Sequence, residues 1–303
     1  MENQLLIQEK ILNIIESEIL IGNKNIMKFS KQLLSNIFSK FPKNLIINLI
    51  INIYKTKKLY FLRHAQSSHN IIKDKEKKKL IYDPGLTKEG IKQIKDSIFY
   101  LNSYNVKFES IFISPLRRSF ETFLCIKESL FNNNNEIKII MTDFLREILN
   151  ENNINKGKSL NNLKKIINEN NLEKEVNLNF ITKEFWWFDL DNENDNNNNN
   201  NNENCFETFE NGKLFALRIL IFLLWVTFRK ENEILILSHS KIYRFINVKK
   251  IKNGNVNILD TKTVVSYLIN FIQNFDNIVH IYNNAKMNIN KSKKNNNNNN
   301  INQ

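Results

Sequence analysis

The chain has 303 residues and is 42% hydrophobic with 22 Phe, which suffices for one sizeable core. Its net charge of +13 comes from lysines scattered among Asn and Ile, without a Lys/Arg block interleaved with aromatic residues, so no nucleic-acid partner is expected. Cys125 and Cys205 are too few for a disulfide framework or a zinc site. We therefore expect no bound metal and a reducing, cytoplasmic environment.

The apolar stretches of the chain are too short to span a membrane. Residues 45–54 and 214–228 fall short of the roughly 20 apolar residues that a span needs, and Arg218 interrupts the second stretch. Glu2 and Glu9 lie near the start without a basic segment before an apolar run, which argues against a signal or transit peptide. We expect buried helices and no transmembrane segment.

Residues 1–55 are predicted to form a helical extension. Leu12, Ile15 and Ile19 lie on one helical face, and Gly22 follows as a stop signal. Two further helical series flank Pro42, with apolar members Phe29, Leu33, Ile37, Phe41, Leu45, Ile46, Leu49, Ile50 and Ile53. These faces must be buried against the rest of the chain, a partner protein or a membrane surface, and the pattern does not decide between them.

From Lys57 onwards, short apolar runs alternate with helical segments. Strands are predicted at residues 58–63, 108–113, 136–141, 233–237, 263–269 and 278–282. Helices are predicted between them at residues 87–100, 119–131 and 213–229. This alternation predicts one α/β domain over residues 56–285, a three-layer sandwich in which helices flank a mostly parallel sheet.

Two Asn-rich tracts lack the apolar side chains that would offset the entropy cost of ordering them. Residues 192–204 would be an insertion within the domain, and residues 286–303 would be a tail. We expect both tracts to be disordered.

Polar residues follow the predicted strands at points that should meet at one edge of the sheet. Arg63 ends the first predicted strand, and His64 follows it. Arg118 comes after the second strand and Glu147 after the third. His239 comes after the strand at residues 233–237. Ligands bind beyond the carboxyl ends of strands in open α/β sheets. Guanidinium forks suit phosphate oxygens, a neutral imidazole can attack phosphorus, and a carboxylic acid can protonate a leaving alkoxide. The set therefore indicates phosphoryl chemistry.

Five ordered segments resemble those of the histidine phosphatase superfamily, which includes the phosphoglycerate mutases. They are Arg63-His-Ala-Gln-Ser-Ser-His-Asn70, Asp83-Pro-Gly-Leu-Thr-Lys-Glu-Gly-Ile-Lys-Gln93, Ser114-Pro-Leu-Arg-Arg-Ser-Phe-Glu-Thr122, Leu145-Arg-Glu147 and Ser238-His-Ser240. Five ordered matches are far more specific than any one of them. The tract from Leu223-Leu-Trp225 through His239, with Phe185-Trp-Trp upstream, is especially similar to a eukaryotic phosphoglycerate-mutase-like branch, so the resemblance implies that fold.

The resemblance also implies roles for individual residues. His64 would be the nucleophile that carries a phosphohistidine, and Glu147 would donate a proton to the leaving group. The groups implied to surround the phosphoryl group or bind the substrate are Arg63, Arg118, His239, Asn70, Ser67, Ser240 and Lys158. Neither a cofactor nor a metal is implied.

Two positions have rivals, and two depart from the family pattern. Arg117 competes with Arg118 for the second arginine role, and Asp143 competes with Glu147 for the acid role; the family spacing favours Arg118 and Glu147. Ala65 stands where the family usually has Gly after the first histidine, and Ser240 stands where it often has Gly after the second.

The function implied by the resemblance is phosphoryl transfer, with hydrolysis of phosphomonoesters as the first expectation. The substrate would be a phosphorylated small molecule or a phosphoprotein. A phosphoglycerate-type mutase and a non-catalytic binding protein of the same fold are the alternatives. The N-terminal helices could serve a partner or a surface.

Overall fold

The structure, a computed structural model, describes residues 2–22, 25–131, 137–149, 153–187, 212–247 and 249–275. Cys205, the Asn-rich tracts at 192–204 and 286–303, and the predicted strand at 278–282 lie outside these residues. The division into an extension over 1–55 and a domain over 56–285 stays a prediction.

A six-stranded sheet forms the centre of the described part of the chain, in the order β4-β3-β2-β5-β1-β6. The strands are β1 Lys58–Arg63, β2 Ser110–Ile113, β3 Lys138–Met141, β4 Val176–Asn177, β5 Glu233–Ser238 and β6 Val256–Ile258. Neighbouring strands are parallel except for β6, which pairs with β1 in the antiparallel direction. The sheet is mostly parallel, as predicted.

Helices surround this sheet and account for most of the remaining described residues. They are α1 Glu2–Ile21, α2 Ile26–Phe38, α3 Lys43–Ile53, α4 Ser68–Ile71, α5 Lys75–Lys79, α6 Lys88–Ser103, α7 Arg117–Phe131, α8 Leu160–Glu169, α9 Gly212–Phe228, α10 Ser240–Asn247 and α11 at 261–275. Single 3-10 turns lie at Asp143–Leu145 and Asn153–Asn155. Thr87 caps α6 through its hydroxyl, which accepts from the Gly90 N–H.

The two faces of the sheet carry two separate apolar cores, which makes the fold a three-layer sandwich. Side chains alternate along each strand, so Phe61 and Phe112 point to one face while Tyr60 and Ile111 point to the other. The first core contains α1–α3, α9, α10 and α11, and the second contains α6, α7 and α8.

The N-terminal helices cover α9, which resolves the question of what buries their apolar faces. Helix α9 is apolar on all sides and nearly every residue from Leu214 onwards is buried. Its Trp225 ring packs edge-on against Phe112 of the sheet at 5.1 Å, while the Trp225 indole N–H donates to Glu16 of α1 at 3.0 Å. The Arg229 guanidinium also donates to Glu16, at 2.7 Å. The rest of the chain therefore supplies the covering surface.

The predicted strand at 263–269 was wrong, because this segment belongs to helix α11. Its buried side chains follow a helical spacing and are Val264, Leu268, Phe271, Ile272 and Phe275. Asp260 accepts the Thr263 N–H at 3.1 Å at the start of the helix. The β-branched residues around Val264 suggested a strand, whereas the last strand of the described residues is β6.

Candidate active site

Two neighbouring strands bring two imidazoles to the same edge of the sheet. Strands β1 and β5 run parallel with Arg63 opposite Ser238, so His64 and His239 follow at the shared carboxyl edge. The His64 N–H donates to the Ser238 carbonyl at 3.0 Å, and the two ring centroids are 5.1 Å apart. Both rings are buried. The backbone pairing of the two strands thus sets the separation of the rings.

The His64 ring is a neutral imidazole with an assignable proton. Its Nδ1 lies 2.7 Å from the Ala65 carbonyl oxygen, which can only accept, so Nδ1 carries the proton and Nε2 keeps its lone pair. Burial, reinforced by the charges of Arg118 and Arg63, holds the pKa of His64 well below its usual value. The uncharged ring is the form that can attack an electrophile.

The His239 ring offers a hydrogen-bond donor beside His64. Its Nε2 lies 2.7 Å from Ser114 Oγ, and when the serine hydroxyl donates to Nε2, the ring proton of the neutral imidazole is on Nδ1. Nδ1 is buried and has no hydrogen-bond partner among the described residues. Burial and the charge of Arg118 hold the pKa of His239 well below its usual value. Such an unpaired donor suits an oxygen of a bound anion.

Two guanidinium groups lie close enough to His64 to influence its charge, and each is fixed by an oxygen acceptor. Arg63 donates to the Ile251 carbonyl at 2.8 Å. Arg118 donates to the Ile154 carbonyl at 2.8 Å and to Asn155 Oδ1 at 2.9 Å. Burial lowers the pKa of Arg118 to about 10 and also lowers that of Arg63. Arg118 therefore keeps its charge at neutral pH.

Arg117, the rival for the second arginine, is directed away from this site. Its side chain is 57% exposed and its Nε donates to Glu121 at 2.6 Å, one helical turn along α7. Arg118 is 1% exposed, and its charge acts on both His64 and His239. The geometry brings Arg118, rather than Arg117, to the imidazoles.

Glu147 lies within electrostatic reach of both arginines. The carboxylate is half-buried, one of its oxygens accepts the N–H of the next residue at 2.9 Å, and its charge raises the pKa of Arg63 and of Arg118 against the effect of burial. Asp143, the rival acid, lines a different cavity, together with Phe29 of α2. The structure therefore places Glu147, rather than Asp143, near Arg63 and Arg118.

Ser67, His69 and Asn70 form a closed set of hydrogen bonds at the start of α4. Ser67 Oγ lies 2.6 Å from His69 Nδ1 and 3.3 Å from Asn70 Oδ1, and Asn70 Nδ2 lies 3.1 Å from His69 Nε2. Burial lowers the pKa of His69 to about 3, so its ring is neutral, accepting from Asn70 and donating to Ser67. The His69 ring centroid is 6.0 Å from that of His64. Ser67 and Asn70 thus lie beside the site and hold each other in place.

The sequence of the first part of this site matches a known family. Residues 59–156 match the histidine phosphatase superfamily (branch 1). This segment belongs to the histidine phosphatase superfamily. It contains four of the five expected catalytic residues, and His239 is delivered separately by β5. No curated protein matches the chain.

Several solved phosphatases are similar in structure. An alpha-ribazole phosphatase from Shigella flexneri is 16% identical with a TM-score of 0.39, over 67% of this chain and 90% of its own. The ecdysone phosphate phosphatase from Bombix mori, in complex with tungstate, is 11% identical with a TM-score of 0.44, over 68% and 90%. A mycobacterial glucosyl-3-phosphoglycerate phosphatase is 13% identical with a TM-score of 0.39, over 67% and 90%. The family assignment rests on the sequence match alone.

Ser240 and Lys158, the two further expected substrate-binding residues, lie in different parts of the chain. Ser240 is half-buried at the start of α10, directly after His239. The Lys158 Nζ lies 5.3 Å from the centre of the Tyr82 ring, and its charge acts on Asp83. Asp83 is buried, accepts the N–H of the first residue of α7 at 2.9 Å, and has its pKa raised to about 6 by burial. Lys158 therefore lies with the loop around Asp83.

Four residues that organise the histidine phosphatase site had no role assigned from the sequence. Ser114 bonds His239, Asn155 fixes Arg118, His69 closes the Ser67–Asn70 set, and Asn253 contacts the backbone of the nucleophile. The dipeptide Asn253-Gly254 is a turn signal that could have marked its loop. Asn155 carried no comparable signal, because its partner lies 37 residues away in the chain.

Two further features concern metals and membranes. Within the described ranges, no cluster of three or more His, Cys, Asp or Glu side chains could hold a metal ion. None of the helices within those ranges is both long and apolar enough to span a bilayer.

Proposed function

We propose that this histidine phosphatase superfamily chain hydrolyses phosphomonoesters through a phosphohistidine at His64. The observation that carries the proposal is the state of the His64 ring. Its proton is donated to the Ala65 carbonyl, so the lone pair of Nε2 is available beside Arg63 and Arg118. A neutral nucleophile next to fixed cations is the arrangement that attack on a phosphate dianion requires.

In the first step, Nε2 of His64 forms a bond to phosphorus as the bond between phosphorus and the leaving oxygen breaks. Arg63, Arg118 and the Nδ1–H of His239 stabilise the charge on the equatorial oxygens. Glu147, in its protonated form, donates its proton to the departing alkoxide. Because these donors are already fixed, little reorganisation is needed, and each could contribute about 10²–10³ in rate.

In the second step, water attacks the phosphohistidine. The Glu147 carboxylate takes a proton from the water, the bond between phosphorus and Nε2 breaks, and the phosphoryl group leaves as inorganic phosphate. His64 regains its lone pair and Glu147 regains its proton, which completes the cycle. The Nδ1–H bond to the Ala65 carbonyl keeps the ring in one orientation through both steps.

The substrate class follows from the charge of the site and from what surrounds it. The buried guanidinium of Arg118 and the half-buried one of Arg63 suit a phosphoryl group on a small molecule or on a protein side chain. Lys158 and Ser240 would contact the leaving-group part of the substrate.

Hydrolysis of p-nitrophenyl phosphate by the purified full chain, measured from pH 4 to 8, tests the proposal. The wild type is expected to release phosphate, and His64→Ala is expected to release none above background. Lys241→Ala is the matched control, because Lys241 is exposed two residues after His239 and should retain wild-type activity. An inactive wild type, or a His64→Ala variant as active as the wild type, would overturn the proposal.

A further inference from the structure

The loop before β6 encloses the backbone of the Arg63-His64 pair. The Gly254 N–H lies 3.1 Å from the Arg63 carbonyl and 3.3 Å from the His64 carbonyl, and the Arg63 N–H donates to the Asn255 carbonyl at 3.2 Å. Gly254 has a φ of 72°, a left-handed conformation that favours glycine. The turn is therefore shaped to bring the loop against the end of β1.

Within this loop, the side chain of Asn253 joins two parts of the site. Its Nδ2 donates to the His64 carbonyl at 3.0 Å and lies 3.3 Å from Asn70 Oδ1. The same Asn70 oxygen accepts from the Ser67 N–H at 3.0 Å. An amide oxygen that faces several donors cannot exchange places with its nitrogen without losing them, so the Asn70 amide has one favoured orientation.

We propose that Asn253 is a positioning residue for the nucleophile, which fixes both the His64 backbone and the orientation of the Asn70 amide. The inference rests on the proposed function and deepens it. Asn253 touches neither imidazole ring; it acts through the carbonyl of His64 and through Asn70. Small displacements of a nucleophile cost much in rate, because attack requires close and aligned reacting atoms.

The test compares isosteric substitutions at two positions of the same loop. Asn253→Asp keeps the shape of the side chain but replaces the donor by an oxygen that faces two acceptors. Asn255→Asp is the control, because Asn255 is also half-buried and its described hydrogen bonds use only its backbone. For each variant, kcat and KM on p-nitrophenyl phosphate are measured, with thermal unfolding to establish that the protein is folded.

We expect Asn253→Asp to lower kcat by about 10–100-fold, and Asn255→Asp to stay within about twofold of the wild type. In an Asn70→Ala background, the effect of Asn253→Asp should shrink, because the two side chains act as one unit. A folded Asn253→Asp variant with wild-type kcat, or an effect that is undiminished in the Asn70→Ala background, would overturn the inference while leaving the phosphatase proposal standing.

A spectroscopic readout separates this inference from the proposed function. In protein labelled with ¹⁵N-histidine, Asn253→Asp should shift the ring nitrogen signals of His64, whereas Asn255→Asp should not. This result is expected even if the wild type fails to hydrolyse p-nitrophenyl phosphate. Unchanged His64 signals in Asn253→Asp would refute the positioning role on its own.

Discussion

Replacement of Arg118 should lower activity far more than replacement of its neighbour Arg117. Arg118 is 1% exposed and is held by the Ile154 carbonyl and by Asn155, whereas Arg117 is 57% exposed and paired with Glu121. Arg118→Lys keeps the positive charge but loses the planar fork and at least one of the two anchoring bonds. Arg117→Lys keeps its charge at a surface where exposed pairs contribute little.

The expected losses differ by orders of magnitude. Removal of one preorganised donor to a developing oxyanion costs about 10²–10³ in kcat, equivalent to about 2.7–4 kcal/mol of activation free energy, and we expect this for Arg118→Lys. For Arg117→Lys, an exposed i,i+4 pair changes stability by about 0.3–0.5 kcal/mol, so kcat should stay within about twofold of the wild type. Steady-state hydrolysis of p-nitrophenyl phosphate by both folded variants provides the comparison.

The reverse order of effects would refute the assignment. If Arg117→Lys lost more activity than Arg118→Lys, the burial of Arg118 would reflect packing alone, and the solvent-facing arginine would be the group that binds phosphate. Similar thermal unfolding of the two variants is needed for the comparison, because Arg118 also holds the turn at Asn153–Asn155.

The remaining predictions concern the acid, pH and the N-terminal helices. Glu147→Gln should slow transfer of the phosphoryl group from an alkyl phosphomonoester to His64 by about 10²–10⁴-fold but should leave the initial burst of p-nitrophenolate from p-nitrophenyl phosphate little changed, because the phenolate leaves without a proton. Steady-state turnover of both substrates should fall, because Glu147 is also the base of the second step, and stopped-flow measurement of the burst separates the two roles. Stability should fall as pH drops below about 6.5, because the three buried histidines have lowered pKa values and the unfolded chain binds more protons. Asp83, whose pKa is raised to about 6, binds a proton more tightly in the folded chain and so offsets the effect of one histidine. The free energy of unfolding in urea is measured as a function of pH. His69→Gln should reduce the slope of this free energy against pH by about 1.4 kcal/mol per pH unit at most, and an unchanged slope would contradict the lowered pKa of His69. Glu16→Ala should lower the free energy of unfolding by about 1–3 kcal/mol, with exposed Glu9→Ala as control; equal denaturation midpoints would mean that α1 is not anchored through Glu16.

Much of the fold was predictable because local pattern and tertiary structure agree. The run at residues 58–63 coincides with β1, and the cap at Thr87 coincides with the start of α6. At residues 263–269 the local propensity and the tertiary structure disagree. Thr263, Val264 and Val265 favour a strand by propensity, yet the buried positions follow a helical period. The packing of the buried side chains selects the helix, and the residue types alone do not show which side chains are buried.

The candidate site was predictable as a set of residues but not as a network. Arg63, His64 and His239 end or follow apolar runs, and a parallel sheet brings the ends of such runs to one edge. The contacts of Asn155 and Asn253 depend on loops that approach from far along the chain. No local period or spacing encodes such contacts. The roles of Ser114 and His69 likewise depend on distances that only the folded chain defines.

Trapping of the intermediate on His64 tests the proposed phosphohistidine most directly. The wild type is mixed with a phosphomonoester, quenched at alkaline pH to preserve phosphohistidine, and its peptides are identified by mass spectrometry. We predict an acid-labile phosphoryl group on His64, and none on this peptide region in His64→Ala. Turnover of substrate with no phosphoryl group on His64, or with one on His69 or His239 instead, would contradict the proposed mechanism.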